Sequence, residues 1–288
     1  MTETPPLISR RTFLATGAVL AAGAAIPSTL LVNTTDTLEV TERTLSLAGL
    51  PAAFEGYRFA QVSDVHLYEG AYHPAAFRAL SALRAAKADL IVVTGDMWDS
   101  VDGCLVTHEW LQDMPKNVPT VAILGNHEYN HLPSGVRPAD PYEKAQIPLL
   151  VNDSMIIEHR GARMALIGLD DLRHGKPNPA RAIRALPEGV VECWLIHDPG
   201  MLDQMTWPEW GSSVRFSLLG HTHGGQVRIP GLPPVRPSGS GSYLAGAYTV
   251  DGVQSYVSRG VGTSGLHLRV GCPAELPIFT LTGKTQPV

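Results

Sequence analysis

Cysteine is scarce in this chain of 288 residues, and the three that occur, Cys104, Cys193 and Cys272, lie far apart. An odd number at such spacing gives neither a disulfide framework nor the paired thiols of a zinc knuckle, so buried free thiols are expected. Charge is also limited, because 17% of the residues are charged, the formal net charge is -5, and no basic run occurs. Nucleic-acid binding depends on neutralising phosphates, so no nucleic-acid partner is expected.

The N-terminal segment carries two adjacent arginines in front of an apolar stretch. Arg10 and Arg11 are followed by Phe-Leu and by an alanine- and glycine-rich run that ends near Leu31. This order is typical of an export signal, and the paired arginines match the twin-arginine pattern. We predict that residues 1–31 are this signal and that residues 32–288 form one domain. The run is only weakly hydrophobic, which disfavours a stable transmembrane span, and whether the signal is cleaved or kept as an anchor stays open.

Export by this route predicts a location in the periplasm or at the outer face of the cytoplasmic membrane. The twin-arginine route carries folded proteins, so a cofactor can be bound before export. The expected partners are the twin-arginine machinery and a membrane surface, and the sequence does not indicate an oligomeric state.

Strand and helix patterns alternate along the rest of the chain, without a linker or an internal repeat. Apolar strand patterns occupy residues 57–63, 90–94, 118–124, 164–167, 191–196 and 214–219, and helical patterns occupy 74–87 and 105–114. After Gly225 the composition favours turns, and Asp251-Gly252 predicts the tip of a β-hairpin. The predicted fold class is α/β, with two packed, mainly mixed β-sheets flanked by helices.

Polar side chains that can take part in chemistry stand directly after five of these strand patterns. They are Asp64 and His66, Asp96 and Asp99, Asn126 and His127, His197, and His221 with His223. In open α/β sheets, ligands bind beyond the carboxyl ends of the strands, so five such ends can converge on one crevice. Taken singly, each residue also fits an ordinary role as a helix cap, a turn former or a buried histidine. Their repeated occurrence favours a shared site.

The donors at these strand ends are carboxylate, amide and imidazole, and thiolate is missing. Oxygen and nitrogen donors of this kind suit Mn, Fe or Zn, and a carboxylate can bridge two cations. Paired ions about 3.5–4 Å apart clamp both the attacking and the leaving oxygen of a phosphoryl displacement. A cofactor of two divalent metal ions is therefore predicted, with the identity of the metal left open.

Five sequence blocks resemble, in the same order, those of the calcineurin-like metallophosphoesterases. The blocks are Asp64-Val65-His66, Gly95-Asp96-Met97-Trp98-Asp99, Gly125-Asn126-His127-Glu128, His197, and Gly220-His221-Thr222-His223. Residues 224–230 and 258–262 resemble the twin-arginine-exported, YkuE- and YaeI-like bacterial branch of that family. The resemblance implies a four-layer αββα sandwich and a metal-dependent phosphoesterase.

The resemblance also implies a role for each strand-end residue. It assigns Asp64, His66 and His223 to one metal, Asn126, His197 and His221 to the other, and Asp96 to a bridging position between them. His127 would orient the substrate phosphate, together with Asn126, and protonate the leaving oxygen while a metal-bridging hydroxide attacks phosphorus. An imidazole can give up a proton near neutral pH, which suits this role. Asp99 is expected to support the loop or to contact a ligand, and is left out of the metal set.

The expected substrate is a phosphoester, with a phosphodiester of the cell envelope or a lipid-linked phosphoester favoured. One alternative is a pyrophosphatase acting on a nucleotide-linked lipid such as UDP-2,3-diacylglucosamine, which the export signal disfavours. Another is a metal-binding scaffold without catalysis. The sequence does not decide between diester, monoester and pyrophosphate.

A competing motif is His127-Glu128-Tyr129-Asn130-His131, which spells the HExxH signature of zinc proteases. That chemistry requires a helix, so that the two histidines share one face. Gly125-Asn126 before the motif and Leu132-Pro133-Ser134-Gly135 after it leave little room for a helix. We therefore expect replacement of His131 to matter far less than replacement of His127.

Several further side chains are candidates for the surroundings of the site, each with an ordinary surface or core role as the alternative. The candidates for phosphate contact are Arg228, Arg236, Arg259 and Arg269, and those for the pocket lining are Tyr68, His73 and Trp98.

Overall fold

The computed structural model of this chain describes residues 32–68, 72–187, 189–205 and 215–284. Within these ranges, no helix combines the length and the apolar character that crossing a membrane requires. The predicted export signal, residues 1–31, lies outside the described residues, as does Val214 at the start of one predicted strand.

The described elements comprise eleven strands and four α-helices, joined by turns and short 3-10 helices. In chain order they are β1 (Leu38–Ser46), β2 (Arg58–Val62), α1 (Pro74–Ala85), β3 (Leu90–Thr94), α2 (Val101–Gln112), β4 (Thr120–Ile123), α3 (Asp140–Ala145), β5 (Asp153–His159), β6 (Ala162–Gly168), α4 (Pro179–Ala182), β7 (Val191–Leu195), β8 (Arg215–Leu219), β9 (Gly246–Val250), β10 (Val253–Val257) and β11 (Ala274–Thr282).

These strands form two mixed sheets. The first sheet has the order β1-β11-β2-β3-β4, with β11 antiparallel to β2 and the other neighbours parallel. The second has the order β5-β6-β7-β8-β10-β9, parallel from β6 through β10 and antiparallel at both edges. The predicted α/β fold of two mixed sheets flanked by helices is confirmed.

Alternation of side chains along each strand explains why the two sheets pack together. In β2, Phe59 points into the space between the sheets, while Ala60 and Val62 point to the opposite face. Across that space Phe59 meets Phe216 of β8 edge to face, with ring centroids 5.6 Å apart. Both faces of these central strands are therefore apolar, which is why they read as continuous apolar runs in the sequence.

Helices cover the outer face of the first sheet. Helix α1 buries Ala76, Ala79, Leu80 and Leu83 against it, a spacing of three and four residues that forms one helical face. The helix begins at Pro74, and the side chain of His73 caps it by accepting a hydrogen bond from the Ala76 amide. His73, a candidate for the pocket lining, therefore serves as the cap of this helix.

Helix α2 begins at Val101, four residues earlier than the pattern predicts. Ser100 caps it by accepting a hydrogen bond from the Gly103 amide, at 3.0 Å, and this fixes the start of the helix at the end of the loop that carries Asp96 and Asp99. The predicted hairpin is present as β9 and β10, and Asp251 and Gly252 at its tip both have positive φ, as such a turn requires.

Candidate active site

The loops after β2, β3, β4, β7 and β8 bring the predicted ligands together. They form two groups named here the first donor group (Asp64, His66 and His223) and the second donor group (Asn126, His197 and His221), with Asp96 between them. All seven are buried, and none is more than 5% exposed. Polar groups withdrawn from water in this way are costly unless they bind one another or a cation.

The first donor group converges around the Nε2 atom of His66. This atom lies 3.0 Å from Nε2 of His223 and 4.0 Å from Oδ1 of Asp64, and Oδ1 of Asp64 lies 3.6 Å from Nε2 of His223. One donor atom from each residue therefore points at a common position, as the ligands of one divalent cation must.

The second donor group presents three buried atoms that have no hydrogen-bond partner. They are Oδ1 of Asn126, Nε2 of His197 and Nδ1 of His221. The other ring nitrogens are occupied, because Nδ1 of His197 lies 2.8 Å from the carbonyl oxygen of Thr94 and Nε2 of His221 lies 2.7 Å from that of Ser238. In the neutral ring, donation to a carbonyl leaves a lone pair on the other nitrogen, the form in which histidine binds a metal. The residues present therefore fit a divalent cation.

Asp96 connects the two groups. Its Oδ2 atom lies 3.6 Å from Nε2 of His66 and 3.1 Å from Nε2 of His197, and one donor atom each from Asp96, His197 and His221 lie within 4.8 Å of one another. Its Oδ1 atom accepts a hydrogen bond of 2.8 Å from the backbone amide of His127. Burial opposes its charge, but the imidazoles of His197 and His127 hold the pKa of Asp96 well below its usual range. A carboxylate between two donor groups is the arrangement expected of a bridging ligand.

Backbone conformation at the site is unusual. Asp64, His66, Asp96, His221 and His223 all have φ between 50° and 73°, in the left-handed region that side chains other than glycine seldom adopt. Such conformations cost of order 1 kcal/mol each and persist where the surroundings enforce them. Here hydrogen bonds enforce them, since the Asp64 amide donates to the Gly95 carbonyl and the His221 amide donates to the Asp64 carboxylate. Strain concentrated in this way indicates a functional site.

Two glycines allow the loops to approach each other. A side chain on Gly125 would lie 2.3 Å from Oδ1 of Asp96, and one on Gly220 would lie 2.5 Å from Oδ2 of Asp64. Both positions therefore require glycine if the donor groups are to close on each other.

His127 and Asp99 form an ion pair at the more accessible side of the site. Nδ1 of His127 lies 2.7 Å from Oδ1 of Asp99, and their side chains are 19% and 13% exposed. Burial opposes the positive charge, but the carboxylates of Asp96 and Asp99 outweigh it and raise the pKa of His127 to about 9. The residue that Asp99 supports is therefore His127. Asp99 orients the ring through Nδ1, so Nε2 faces away from the ion pair.

The effect of Asp99 on His127 can be measured in the metal-free protein. We expect the imidazole of His127 to titrate near pH 9 by NMR, and Asp99→Asn to lower this pKa by about one to two units. A hydrogen bond between charged groups is worth about 1.5–3 kcal/mol, and one pKa unit corresponds to about 1.4 kcal/mol. Asp102→Asn, at an exposed position of α2, should leave the titration unchanged. An unaltered pKa in Asp99→Asn would contradict the assigned pairing.

Glu128, which the sequence analysis names only within the third family block and the HExxH motif, holds the loops together. Its carboxylate accepts hydrogen bonds from the backbone amides of Asp96, Met97 and Gly125 at 2.8–2.9 Å and from the hydroxyl of Tyr142 at 2.9 Å. The motif itself is not helical, since His127–Tyr129 is a single 3-10 turn and His131 has a φ of 52°. This geometry excludes the shared helical face that a zinc protease requires.

Removal of the Glu128 carboxylate should destabilise the fold strongly. We expect Glu128→Ala to lower the free energy of unfolding by about 3 kcal/mol or more, because three buried amides would each lose a partner at about 1–3 kcal/mol. Urea denaturation of the metal-free protein measures this. Glu143→Ala removes an exposed carboxylate that pairs with Arg137, and should cost under about 1 kcal/mol. Equal stability of the two variants would show that Glu128 does not organise the loops.

The arginines near His223 are engaged by the protein itself. The guanidinium of Arg269 is fully buried and donates to the carbonyls of Arg259, Gly262 and Cys272 and to Nδ1 of His223. Arg259 pairs with Glu39 and Glu275, and Nε of Arg228 donates to the carbonyl of Gly224. Of the candidates for phosphate contact, Arg269 therefore has a structural role, because it is fully buried and donates to His223.

The remaining pocket candidates have different roles. Trp98 is fully buried and belongs to the core beneath α2, so it does not line the site. Tyr68 is half-buried and stacks on His267, with ring centroids 3.8 Å apart. Arg236 is exposed on the loop after the GHTH block.

A buried pair of carboxyl groups, which the sequence analysis missed, lies behind His221. Asp171 and Asp198 are each 1% exposed, and Oδ1 of Asp198 lies 3.4 Å from Nε2 of His221. Burial, partly offset by His197, and the neighbouring Asp171 raise the pKa of Asp198 to about 8. Both aspartates follow predicted strands, since Asp198 comes directly after His197 and Asp171 comes four residues after the strand pattern of residues 164–167. The sequence analysis did not single them out, and their proximity in space marks them.

Two clusters of nitrogen and oxygen donors that share a carboxylate, beside an oriented imidazole, define the class of metal-dependent hydrolases. Comparison with known proteins specifies the family. The model of the calcineurin-like phosphoesterases matches residues 57–225. The chain belongs to this family and is a metal-dependent phosphoesterase.

The chain is similar over most of its length to proteins named as a metallophosphoesterase and as a phosphodiesterase. The chain is 29% identical over 256 residues to an uncharacterized metallophosphoesterase, YkuE, of Bacillus subtilis, covering 85% of each chain. It is 31% identical over 205 residues to the phosphodiesterase YaeI of Escherichia coli, covering 68% of this chain and 71% of that one. Among solved structures, the phosphopantetheinyl hydrolase PptH of Mycobacterium tuberculosis has a TM-score of 0.45 and 14% identity, covering 76% of this chain and 97% of that one.

Proposed function

We propose that this protein hydrolyses phosphodiesters with two divalent cations, one bound by each donor group and both by Asp96. The observation that carries the proposal is the position of Asp96, whose Oδ2 atom approaches histidines of both groups while Oδ1 is held by the His127 amide. Cations bound in this way supply Lewis-acid activation of water and of the phosphoryl group.

The chain's own residues then orient the substrate and move one proton. Nδ1 of His127 is held by Asp99, so Nε2 is the atom that donates a proton to the leaving oxygen. The ion pair with Asp99 favours the protonated ring, which can give up its proton near neutral pH. Asn126, the residue before it, is proposed to position the phosphate together with His127.

The charge around the site supports a diester. A phosphodiester carries one negative charge, whereas a phosphomonoester carries close to two at neutral pH. The arginines on the His223 side, Arg228, Arg259 and Arg269, are already engaged by carbonyls or carboxylates of the protein. The donors of these arginines that the protein already uses are not directed at a substrate phosphate, and the name of the relative YaeI agrees with a preference for a diester.

The proposed location is the cell envelope. Residues 1–31 carry the twin-arginine pattern, which supports export to the periplasm or to the outer face of the cytoplasmic membrane. The exported part is proposed to be a single domain of residues 32–288. Phosphodiesters available there include lipid-linked ones, which we propose as the natural substrates. Mn, Fe or Zn are the proposed metals.

Metal content and substrate preference test the proposal together. Elemental analysis of the purified full chain should give close to two equivalents of divalent metal after loading with Mn. The loaded protein should hydrolyse bis-p-nitrophenyl phosphate faster than p-nitrophenyl phosphate. A single bound ion, or a loaded protein without activity on either ester, would overturn the proposal, and the second outcome would favour a scaffold.

A further inference from the structure

Four apolar side chains are exposed on two loops beside the site. Leu232 and Val235 are 41% and 52% exposed on residues 226–237, and Leu266 and Leu268 are 46% and 39% exposed on residues 263–268. We call these four side chains the apolar rim. Single exposed apolar residues are ordinary, but four on two joined loops are typical of an interaction surface.

Both loops are attached directly to the metal ligands. Residues 226–237 follow the turn that contains His223, and residues 263–268 follow Gly262, whose amide donates to the carbonyl of Asp64 at 2.7 Å. The side chain of Gln226 joins the loops by donating to the carbonyls of Ser264 and Leu266. The apolar rim is therefore fixed in position relative to the donor groups.

The charge of this part of the chain differs from that of the whole. Residues 226–273 contain four arginines and one acidic residue, Asp251, but Arg259 is paired with Glu39 and Glu275 and Arg269 is fully buried, so the exposed positive charge is that of Arg236. Arg236 is exposed next to Val235, and His267 is exposed between the two leucines of the second loop. An apolar surface with local positive charge complements an anionic lipid surface.

The N-terminal segment joins the fold at the same place. The Gly271 amide donates to the carbonyl of Val32 at 2.9 Å, Asn33 pairs with Val270, and the Thr34 amide donates to the carbonyl of Arg269. Residues 12–35, which precede and enter this contact, contain no charged side chain. Val32 is 60% exposed, and residues 32–34 lie beside residues 269–271, which follow the loop with Leu266 and Leu268.

We propose that the apolar rim docks on an anionic phospholipid bilayer and holds the donor groups at the level of the lipid headgroups. The side chains of the rim enter the interfacial layer, and Arg236 contacts lipid phosphates. The docking surface is inferred from the exposure of the four apolar side chains, the charge of Arg236 and the position of residues 32–34. Its consequence, that the substrate is a phosphodiester presented by a membrane, rests on the proposed function.

Vesicle binding by the full chain tests the surface. Wild-type protein should bind mixed vesicles of phosphatidylethanolamine and phosphatidylglycerol more tightly than vesicles of phosphatidylcholine. Combining Leu232→Ser, Val235→Ser, Leu266→Ser and Leu268→Ser should weaken binding to the mixed vesicles roughly tenfold or more. The matched control combines Phe77→Ser with Leu105→Ser, at positions 62% and 52% exposed on α1 and α2, and should bind like the wild type.

A site-specific probe separates rim contact from attachment by the N-terminal segment. The native cysteines are buried, so a fluorophore on Leu266→Cys reports on the rim and one on Leu105→Cys serves as the reference. Nitroxide-labelled lipids should quench the first and not the second. If the serine variant binds as tightly as the wild type and the label at position 266 is not quenched, the proposal is wrong and the N-terminal segment alone attaches the protein.

Two further measurements distinguish the remaining outcomes. If the serine substitutions convert a dimer into a monomer and leave vesicle binding unchanged, the rim is a contact between copies of the chain and the proposal is overturned. Hydrolysis of soluble bis-p-nitrophenyl phosphate should be unaffected by the serine substitutions. Vesicle binding that depends on the rim, in a protein without any such hydrolysis, would support the surface and refute the proposed phosphodiesterase.

Discussion

Asp96→Asn should remove most of the bound metal and lower turnover roughly a thousandfold or more. Rates fall on this scale when a group that stabilises the charge of the transition state is removed. Asparagine has nearly the same shape and keeps an oxygen that can accept the His127 amide, so the loop should stay in place. It lacks the negative charge that faces histidines of both donor groups. Metal content by elemental analysis and turnover of bis-p-nitrophenyl phosphate should therefore fall together.

The matched control for this variant is Asp251→Asn. Asp251 stands at the tip of the β9–β10 hairpin with a φ of 50°, a conformation that asparagine tolerates, so the same chemical change is made there without cost. Its metal content and turnover should equal those of the wild type. Full metal content and full activity in Asp96→Asn would show that the two donor groups do not share this carboxylate.

His127→Ala should retain its metal and lose turnover according to the leaving group. His127 belongs to neither donor group, and its imidazole is held by Asp99. Loss of a general acid lowers rates about 10²–10⁴-fold for substrates whose leaving oxygen needs a proton, so an alkyl phosphodiester should show this loss. p-Nitrophenolate leaves without protonation, so bis-p-nitrophenyl phosphate should lose only about tenfold.

His131→Ala is the matched control for His127→Ala. The two rings lie 6.0 Å apart, and His131 has no place in either donor group. We expect its turnover to remain within about twofold of the wild type on both esters, the range of a surface substitution. An alkyl diester cleaved at the wild-type rate by His127→Ala would refute the proton donation assigned to His127. Loss of metal from His131→Ala would instead show that His131 takes part in metal binding, contrary to the two donor groups.

The site could be located from the sequence because each donor follows a buried strand. Runs such as Leu90–Thr94 are apolar on both faces, and parallel strands end at one edge, so the polar residue after each run marks the same crevice. The tautomers of His197 and His221 could not be predicted, since they depend on the carbonyls of Thr94 and Ser238. The role of Glu128 could not be predicted because three of its four partners are backbone amides, which leave no mark on the sequence.

Two strands of the first sheet also escaped prediction, and their surroundings explain why. β1 is exposed along most of its length, so its sequence lacks a clear apolar face. β11 contains Pro277, which argues against a central strand. The structure accommodates this proline because the pairing of β11 with β2 begins only at Ile278, while Pro277 lies opposite Thr41 of β1.

The donor groups draw on both sheets, which gives the proposed cations a second effect. Asp64, Asp96 and Asn126 follow strands of the first sheet, whereas His197 and His221 follow strands of the second. An ion that binds only the native arrangement stabilises it by mass action, by about 2.7 kcal/mol at a concentration one hundred times its dissociation constant. At the proposed location outside the cytoplasm, where proteases act on unfolded chains, the lifetime of the protein would follow the supply of metal. The same residues that select a cation for hydrolysis would then set the lifetime of the molecule that carries it.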